Sequence, residues 1–334
     1  MAWWSSLFAL NHRPPDLPDL AQIAQEAAAP ASVEPNHGGE AGRAKAAPDK
    51  LKAQPPERWF TPAALRRAWL AVKAAKGGPG VDGISLQQFE ANVERELATL
   101  RIELISGTYQ PQPVRQVLVP KASVGMRPIA IWAIRDRVAQ RATYDLIAPV
   151  FEATFLPCSM GFRVGYGVPD AVAALEQLRD GNLRWVVNAD IQECFESIDS
   201  VRLLKLVAHR VQDRLLRHYI AGWLHAQILN SADGVPKRAG TSQGGVLSPL
   251  LANIYLHQFD QVVAERKLAY LRYADDFVIC CRQKAEAEQV LAFCHDALKP
   301  LGLKLRDNKT QVIHFDQGFS WLGYFFLRRE CFRL

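Results

Sequence analysis

The sequence predicts an α+β fold, a small antiparallel sheet backed by helices. Three observations carry this reading. From residue 183 onward the order is strand, helices, hairpin, helix, strands, with no regular strand–helix alternation. The stretch LAYLRYADDFVICC (268–281) reads as two apolar strands joined at a tip that holds two acids, Asp275 and Asp276. Elsewhere, long stretches carry apolar residues at helical spacing behind recognisable caps.

Taken in order, residues 11–57 are rich in Pro, Ala, Gly, Glu and Lys and read as a flexible linker. Ahead of it, MAWWSSLFAL places Trp3, Trp4, Leu7, Phe8 and Leu10 in a short apolar peptide suited to docking on a partner or packing on its own domain. The folded body is expected from near Trp59. TPAALRRAWLAVKAA (61–75) has a Thr cap and a Pro at the first helical position. KGGPGVDG (76–83) is a break, and residues 85–107 read as one capped helix ending at Gly107. RQVLVPK (115–121) is strand-like, 134–155 a long helix, 169–180 a helix and 183–191 a strand. Residues 200–229 read as strongly helical, and Ser248 with Pro249 opens another helix through 267. After the hairpin come a helix over 285–302 and strands over 303–315 and 319–327.

The chain has 334 residues, 49% of them apolar, which is enough for two or three subdomains around a sizeable core. A net charge of +6 permits a polyanionic partner. Six cysteines without framework spacing imply reduced thiols in a cytosol-like compartment. No apolar run approaches the roughly 18 residues that span a bilayer. A cytoplasmic protein without a membrane partner is expected.

The acids carry the chemistry. Asp190 ends the apolar strand LRWVVNADI, where a charge is costly unless paired or bound to metal. Asp275 and Asp276 face the same cost plus mutual repulsion. Mg²⁺ removes both objections, being a hard ion that takes one or two carboxylates together with substrate phosphates. If the two strands are neighbours, three carboxylates meet at one end of the sheet, and two ions could hold an attacking and a leaving oxygen in line. A solvated acidic turn is the ordinary alternative for Asp-Asp taken alone. Lys121, Arg127, Arg135 and Arg137 surround a Gly-containing turn and could hold a triphosphate, or form a solvated basic face. Gln243 stands beside two glycines just before a helix, where backbone can approach a substrate closely, or in an ordinary loop.

The ordered set resembles the group II intron-like bacterial reverse transcriptases. YADD (273–276) is similar to their palm hairpin and ADIQECFESID (189–199) to their first aspartate motif. SQGGVLSPLLANIYL (242–256) resembles the glutamine–glycine motif. VPKASVGMRPIAIWAIRDRVAQ (119–140) and FLPCSMGFRVGYGVPDA (155–171) resemble the fingers motifs. LKLRDNKTQVI (303–313) and FSWLGYFF (319–326) resemble the last two palm motifs, and GGPGVDG (77–83) the leading motif. The resemblance implies a right-hand polymerase fold. Its fingers would be 58–167 and 200–240, and its palm 168–199 and 241–334, with the thumb absent or rudimentary.

It also implies templated DNA synthesis with two Mg²⁺ ions, or Mn²⁺ in their place, on an RNA template, a DNA or RNA primer and dNTPs. Asp190, Asp275 and Asp276 would be catalytic metal ligands, with the Ile191 carbonyl assisting. Lys121 and Arg127 would contact the triphosphate, Phe195 would exclude a ribose 2′-hydroxyl, Gln243 would line the nucleotide pocket, and Lys309 would lie nearby. The sequence departs from the family at Ser242, at WAIRDR and at Glu196. The expected lack of a thumb and an endonuclease points to a defence or CRISPR spacer-acquisition setting and to a protein partner supplying the missing grip. Three alternatives stand beside this reading. One is an RNA-binding subunit that does not polymerise, another a remnant of a mobile intron protein. The third is a zinc protein built on Cys280, Cys281, Cys294 and His295, which the opposite faces of adjacent strand residues disfavour.

Overall fold

The computed structural model describes residues 49–120, 126–229, 237–241 and 243–334. The apolar peptide with Trp3 and Trp4, most of the expected linker, and Lys121 lie outside the described residues. The described chain forms two compact units, one from 49–154 and 193–255, the other from 155–192 and 256–334.

In the first unit, helix Pro62–Ala74 starts where Thr61 Oγ1 accepts the Ala64 N–H at 3.1 Å, and it buries Leu65, Ala68, Trp69 and Val72 along one face. Helix Ile134–Glu152 packs against that face. The helix expected over 85–107 is two helices, Leu86–Ala91 and Val93–Ser106. Asn92 separates them, its side chain bonding back to the Gln88 carbonyl in competition with the helical ladder. Gly107, at φ 75°, ends the second helix in the left-handed conformation that glycine adopts without penalty.

The run over 200–229 also divides, into helices Ser200–Arg210 and Arg214–His225 and a short strand Gln227–Leu229. Asp213 is the cause. One of its oxygens caps the second helix by accepting Leu216 N–H at 2.9 Å, and the other accepts Trp59 Nε1–H at 3.1 Å. Leu51 pairs with the break on both sides: its N–H reaches the Arg210 carbonyl and its carbonyl accepts from Gln212, each at 2.8 Å. The ordered body therefore reaches back before residue 58, into the stretch expected to be linker.

Strand Val114–Pro120 runs antiparallel to Met126–Ile131 and parallel to Gln227–Leu229, which pairs with Lys237–Arg238. Met126–Ile131 is a strand that the sequence reading lacks. It contains Pro128 and lies at the sheet edge, where a residue without an N–H is tolerated. The residues of helix Ser248–Glu265 pass from this unit into the next.

The second unit holds an all-antiparallel sheet in the order Ala269–Tyr273, Asp276–Cys281, Trp185–Asp190, Gln311–His314. Both central strands are buried on both faces, which explains why they read as continuous apolar runs and not as alternating ones. Val186, Leu271, Val278 and Cys280 face a core that includes Leu175 and Leu178 of helix Val168–Asp180. Helix Lys284–Leu298 packs against the two central strands and Gln311–His314. A second, three-stranded sheet follows, Phe319–Trp321, Tyr324–Leu327 and Glu330–Arg333, whose last strand is also absent from the sequence reading. Phe319 and Phe326 stack at 5.4 Å between centroids and join Phe315 in the main core.

All six cysteines are free thiols. Among the described residues no helix is long and apolar enough to cross a membrane.

The terminal sheet is thus bound into the core through Phe326, which is fully buried. Phe326→Ala should cost about 3–5 kcal/mol of unfolding free energy, measured by urea titration. A loss below about 1 kcal/mol would mean that the terminal sheet does not support the core.

Candidate active site

The strand register brings two carboxylates together. Asp190 ends strand Trp185–Asp190 and stands directly opposite Asp276, the first residue of strand Asp276–Cys281. Directly opposed residues share a face, with Cβ atoms about 4.5–5.5 Å apart. Asp275 precedes Asp276 in the turn, and its carbonyl accepts the Ile191 N–H at 3.1 Å. Ile191 itself is fully buried and bridges to Leu305.

Two cations face Asp190. Arg306 Nε donates to one carboxylate oxygen at 2.6 Å, and Lys309 Nζ to the other at 2.8 Å. The Arg306 N–H also donates to the Asp190 carbonyl at 2.8 Å, and the turn at Asp307–Lys309 is closed by Lys309 N–H to the Arg306 carbonyl. Arg306 is a site residue that the sequence reading missed. Its signal was its place three positions before Lys309 in the motif LKLRDNKTQVI.

The electrostatics follow from this crowding. Burial, then the charges of Asp275 and Asp190, push the Asp276 carboxyl up to about 7, against the pull of Lys309. Like charges on opposed strands are unfavourable without a counter-charge. Among the described residues no group of three or more His, Cys, Asp or Glu side chains is arranged to hold a metal ion. The local donor set nonetheless suits a hard divalent cation: carboxylate oxygens on an opposed pair, a third carboxylate one residue away, and repulsion that such an ion would cancel.

The other expected site residues belong to the first unit. Arg127 is exposed on the edge strand Met126–Ile131. The Gln243 carbonyl accepts the N–H of Ala130 on that same strand at 2.7 Å. Next to it Gly244, at φ 117°, lies so close to the Ala130 carbonyl that a Cβ would collide with it. Phe195 is buried in the short helix Cys194–Ser197, and its carbonyl accepts a bond from Thr241 Oγ1. Phe195 is thus bonded to Thr241, and Gln243, two residues on, to the strand of Arg127. Arg135 and Arg137 are committed elsewhere, Arg135 in an ion pair with Glu103 and Arg137 in a 2.6 Å bond to the Gly78 carbonyl.

The raised Asp276 gives a pH signature. An acid whose folded pKa stands above its ordinary 3.8 weakens the fold as it ionises. The penalty is absent below about pH 4 and complete above about 7. A cation on the ionised pair would offset it. Mg²⁺ should therefore raise the melting temperature more at about pH 8 than at about pH 6, and Asp276→Asn should remove most of that difference. Equal shifts at both pH values, read by scanning fluorimetry, would contradict cation binding at this pair.

Residues 119–326 match the family described as reverse transcriptase (RNA-dependent DNA polymerase). The chain is 35% identical to protein YkfC of Escherichia coli K12 over 326 residues, covering 84% of this chain and 83% of YkfC. It is 28% identical to the group II intron-encoded protein LtrA of Lactococcus lactis, covering 74% of this chain and 52% of LtrA, so it spans about half of that relative's length. Among solved structures, apo telomerase from Candida tropicalis is similar in fold, with a TM-score of 0.51 at 13% identity over 67% of this chain and 49% of that one. The helices and small antiparallel sheets are those of a right-hand polymerase fold, as expected. With YADD, the opposed aspartates and the flanking motifs all inside the matched region, the chain belongs to the reverse transcriptases, the RNA-dependent DNA polymerases, of the group II intron-like kind.

Proposed function

We propose that this chain extends a primer 3′ end with dNTPs on an RNA template, using Asp190, Asp275 and Asp276, with the Ile191 carbonyl, to hold two Mg²⁺ ions. The observation that carries this is the in-register opposition of Asp190 and Asp276 at the end of a buried sheet. When bound, the ions supply neutralisation of charge on the reacting phosphate.

The chain's own residues do the rest. The backbone link from Ile191 to Asp275 ties the two acid-bearing segments together, so the carboxylates are presented from a rigid base. Arg306 and Lys309 each pair with one oxygen of Asp190 and orient its carboxylate. Lys309, the more exposed of the two, has the reach to serve an incoming phosphate. We assign Arg127 and Lys121 to the triphosphate and Gln243 to the nucleotide pocket. Phe195 we assign to exclusion of the ribose 2′-hydroxyl. Its burial and its bonded carbonyl fix its backbone, which a steric gate requires. We assign 58–167 and 200–240 to fingers and 168–199 and 241–334 to palm, on the strength of the motifs they contain.

Primer extension on an RNA template tests this. Asp275→Ala combined with Asp276→Ala, or Asp190→Ala alone, should lower Mg²⁺-dependent synthesis by about three orders of magnitude or more. Circular dichroism would verify that the variants fold. Synthesis surviving in folded variants would end the assignment. Phe195→Ala should raise ribonucleotide use relative to deoxynucleotide use by roughly 10- to 100-fold, the scale of one removed steric contact. Unchanged discrimination would return Phe195 to a packing role.

A further inference from the structure

Three residues before Asp275, the strand Ala269–Tyr273 carries a buried cation with no part in the chemistry described above. Arg272 is completely buried, as is its partner Asp260 on helix Ser248–Glu265. Arg272 Nε and Nη2 grip the two Asp260 oxygens at 2.7 and 2.6 Å, and Nη2 also reaches Ser159 Oγ at 2.7 Å. Tyr270 donates its hydroxyl to Asp260 at 2.9 Å. With Nε and Nη2 fixed, the remaining arm is aimed: Nη1 donates to the Ala274 carbonyl at 2.9 Å.

Stability alone is a weak reason to bury such a pair. Desolvation costs about as much as the attraction returns, and apolar replacements are often neutral or better. The target of the third arm suggests another reason. Ala274 sits at φ 61°, a left-handed conformation that is strained for a residue with a side chain. That conformation is held from both sides. On one side Arg272 binds the Ala274 carbonyl. On the other, Gly161 lies so close to the Ala274 nitrogen that a Cβ on Gly161 would collide with it. The loop is anchored there by Arg272 N–H to the Cys158 carbonyl at 2.8 Å and Met160 N–H to the Arg272 carbonyl at 2.9 Å. The next residue is Asp275, whose carbonyl accepts from Ile191, the neighbour of Asp190. A continuous set of bonds thus runs from Arg272 through the strained turn to the acids.

We infer that Arg272, braced by Asp260 and Ser159, is a positioning residue that locks the Ala274 turn so that the acids present a preformed cation site. This rests on the reading of Asp190, Asp275 and Asp276 as cation ligands.

The test measures Mg²⁺ affinity of the full chain by calorimetry, with the melting temperature taken in parallel. Arg272→Lys keeps a cation for Asp260 but lacks the fork that reaches Ala274. It should bind Mg²⁺ about tenfold more weakly, the usual scale for residues that support ligands from behind. The Mg²⁺ midpoint of primer extension should shift by the same factor, with the KM for dNTP unchanged. Ser159→Ala removes one brace and leaves the ion pair, and it should weaken Mg²⁺ binding in the same direction by less. A lowered melting temperature with wild-type Mg²⁺ affinity in Arg272→Lys would make the residue merely structural and overturn the inference. Should Arg272→Lys fail to fold, unchanged Mg²⁺ affinity in Ser159→Ala would overturn it as well. Wild-type protein that binds no Mg²⁺ would instead sink the cation-ligand reading itself, and this inference with it.

Discussion

Two carboxyl groups set face to face across a β-ladder are the constraint on which the rest of the second unit depends. Asp190 and Asp276 cannot separate without changing the register of two strands whose other residues, the half-buried Trp185 apart, are buried. Slipping the pairing by one residue would turn Val186, Val187 and Val278 to the wrong faces. The core therefore holds the acids in place, against their own repulsion and at a cost offset locally by Arg306 and Lys309.

The sequence made the second unit largely legible and the first only partly so. Strands 183–191 and 268–281 are visible because they are largely apolar runs, and the acids at their ends mark the site. The two divided helices were not visible. Asn92 and Asp213 act through side-chain bonds, to the Gln88 carbonyl in one case and to Leu216 and Trp59 in the other. Trp59 is more than 150 residues from Asp213 in sequence, and periodicity cannot register a contact at that distance. Strand Met126–Ile131 was hidden by Pro128, which reads as a breaker until the strand is known to lie at an edge. Arg306 escaped because a basic residue in a polar turn reads as solvated until its carboxylate partner is known.

The first unit shows a parallel economy of polar groups. Tyr109 donates to Asp136 at 2.6 Å and accepts from Trp223 Nε1 at 2.9 Å, and Gln112 N–H adds a second bond to Asp136. Burial nonetheless leaves the Asp136 carboxyl raised to about 6. Such networks specify one packing arrangement because every alternative leaves a polar atom stranded. In each unit a buried acid, Asp136 or Asp260, accepts from a buried tyrosine hydroxyl, Tyr109 or Tyr270.

The pairing of Asp190 with Asp276 also has a kinetic side. The two residues are 276 − 190 = 86 positions apart, so their strands meet only after a long stretch of chain has been gathered in. Closing a loop of that size is entropically slow, and local hairpins and helices form first. During synthesis, the strand bearing Asp190 leaves the ribosome long before its partner exists. A half-finished or partly unravelled chain thus lacks the opposition of Asp190 to Asp276. The opposed pair forms in one late step, together with completion of the fold.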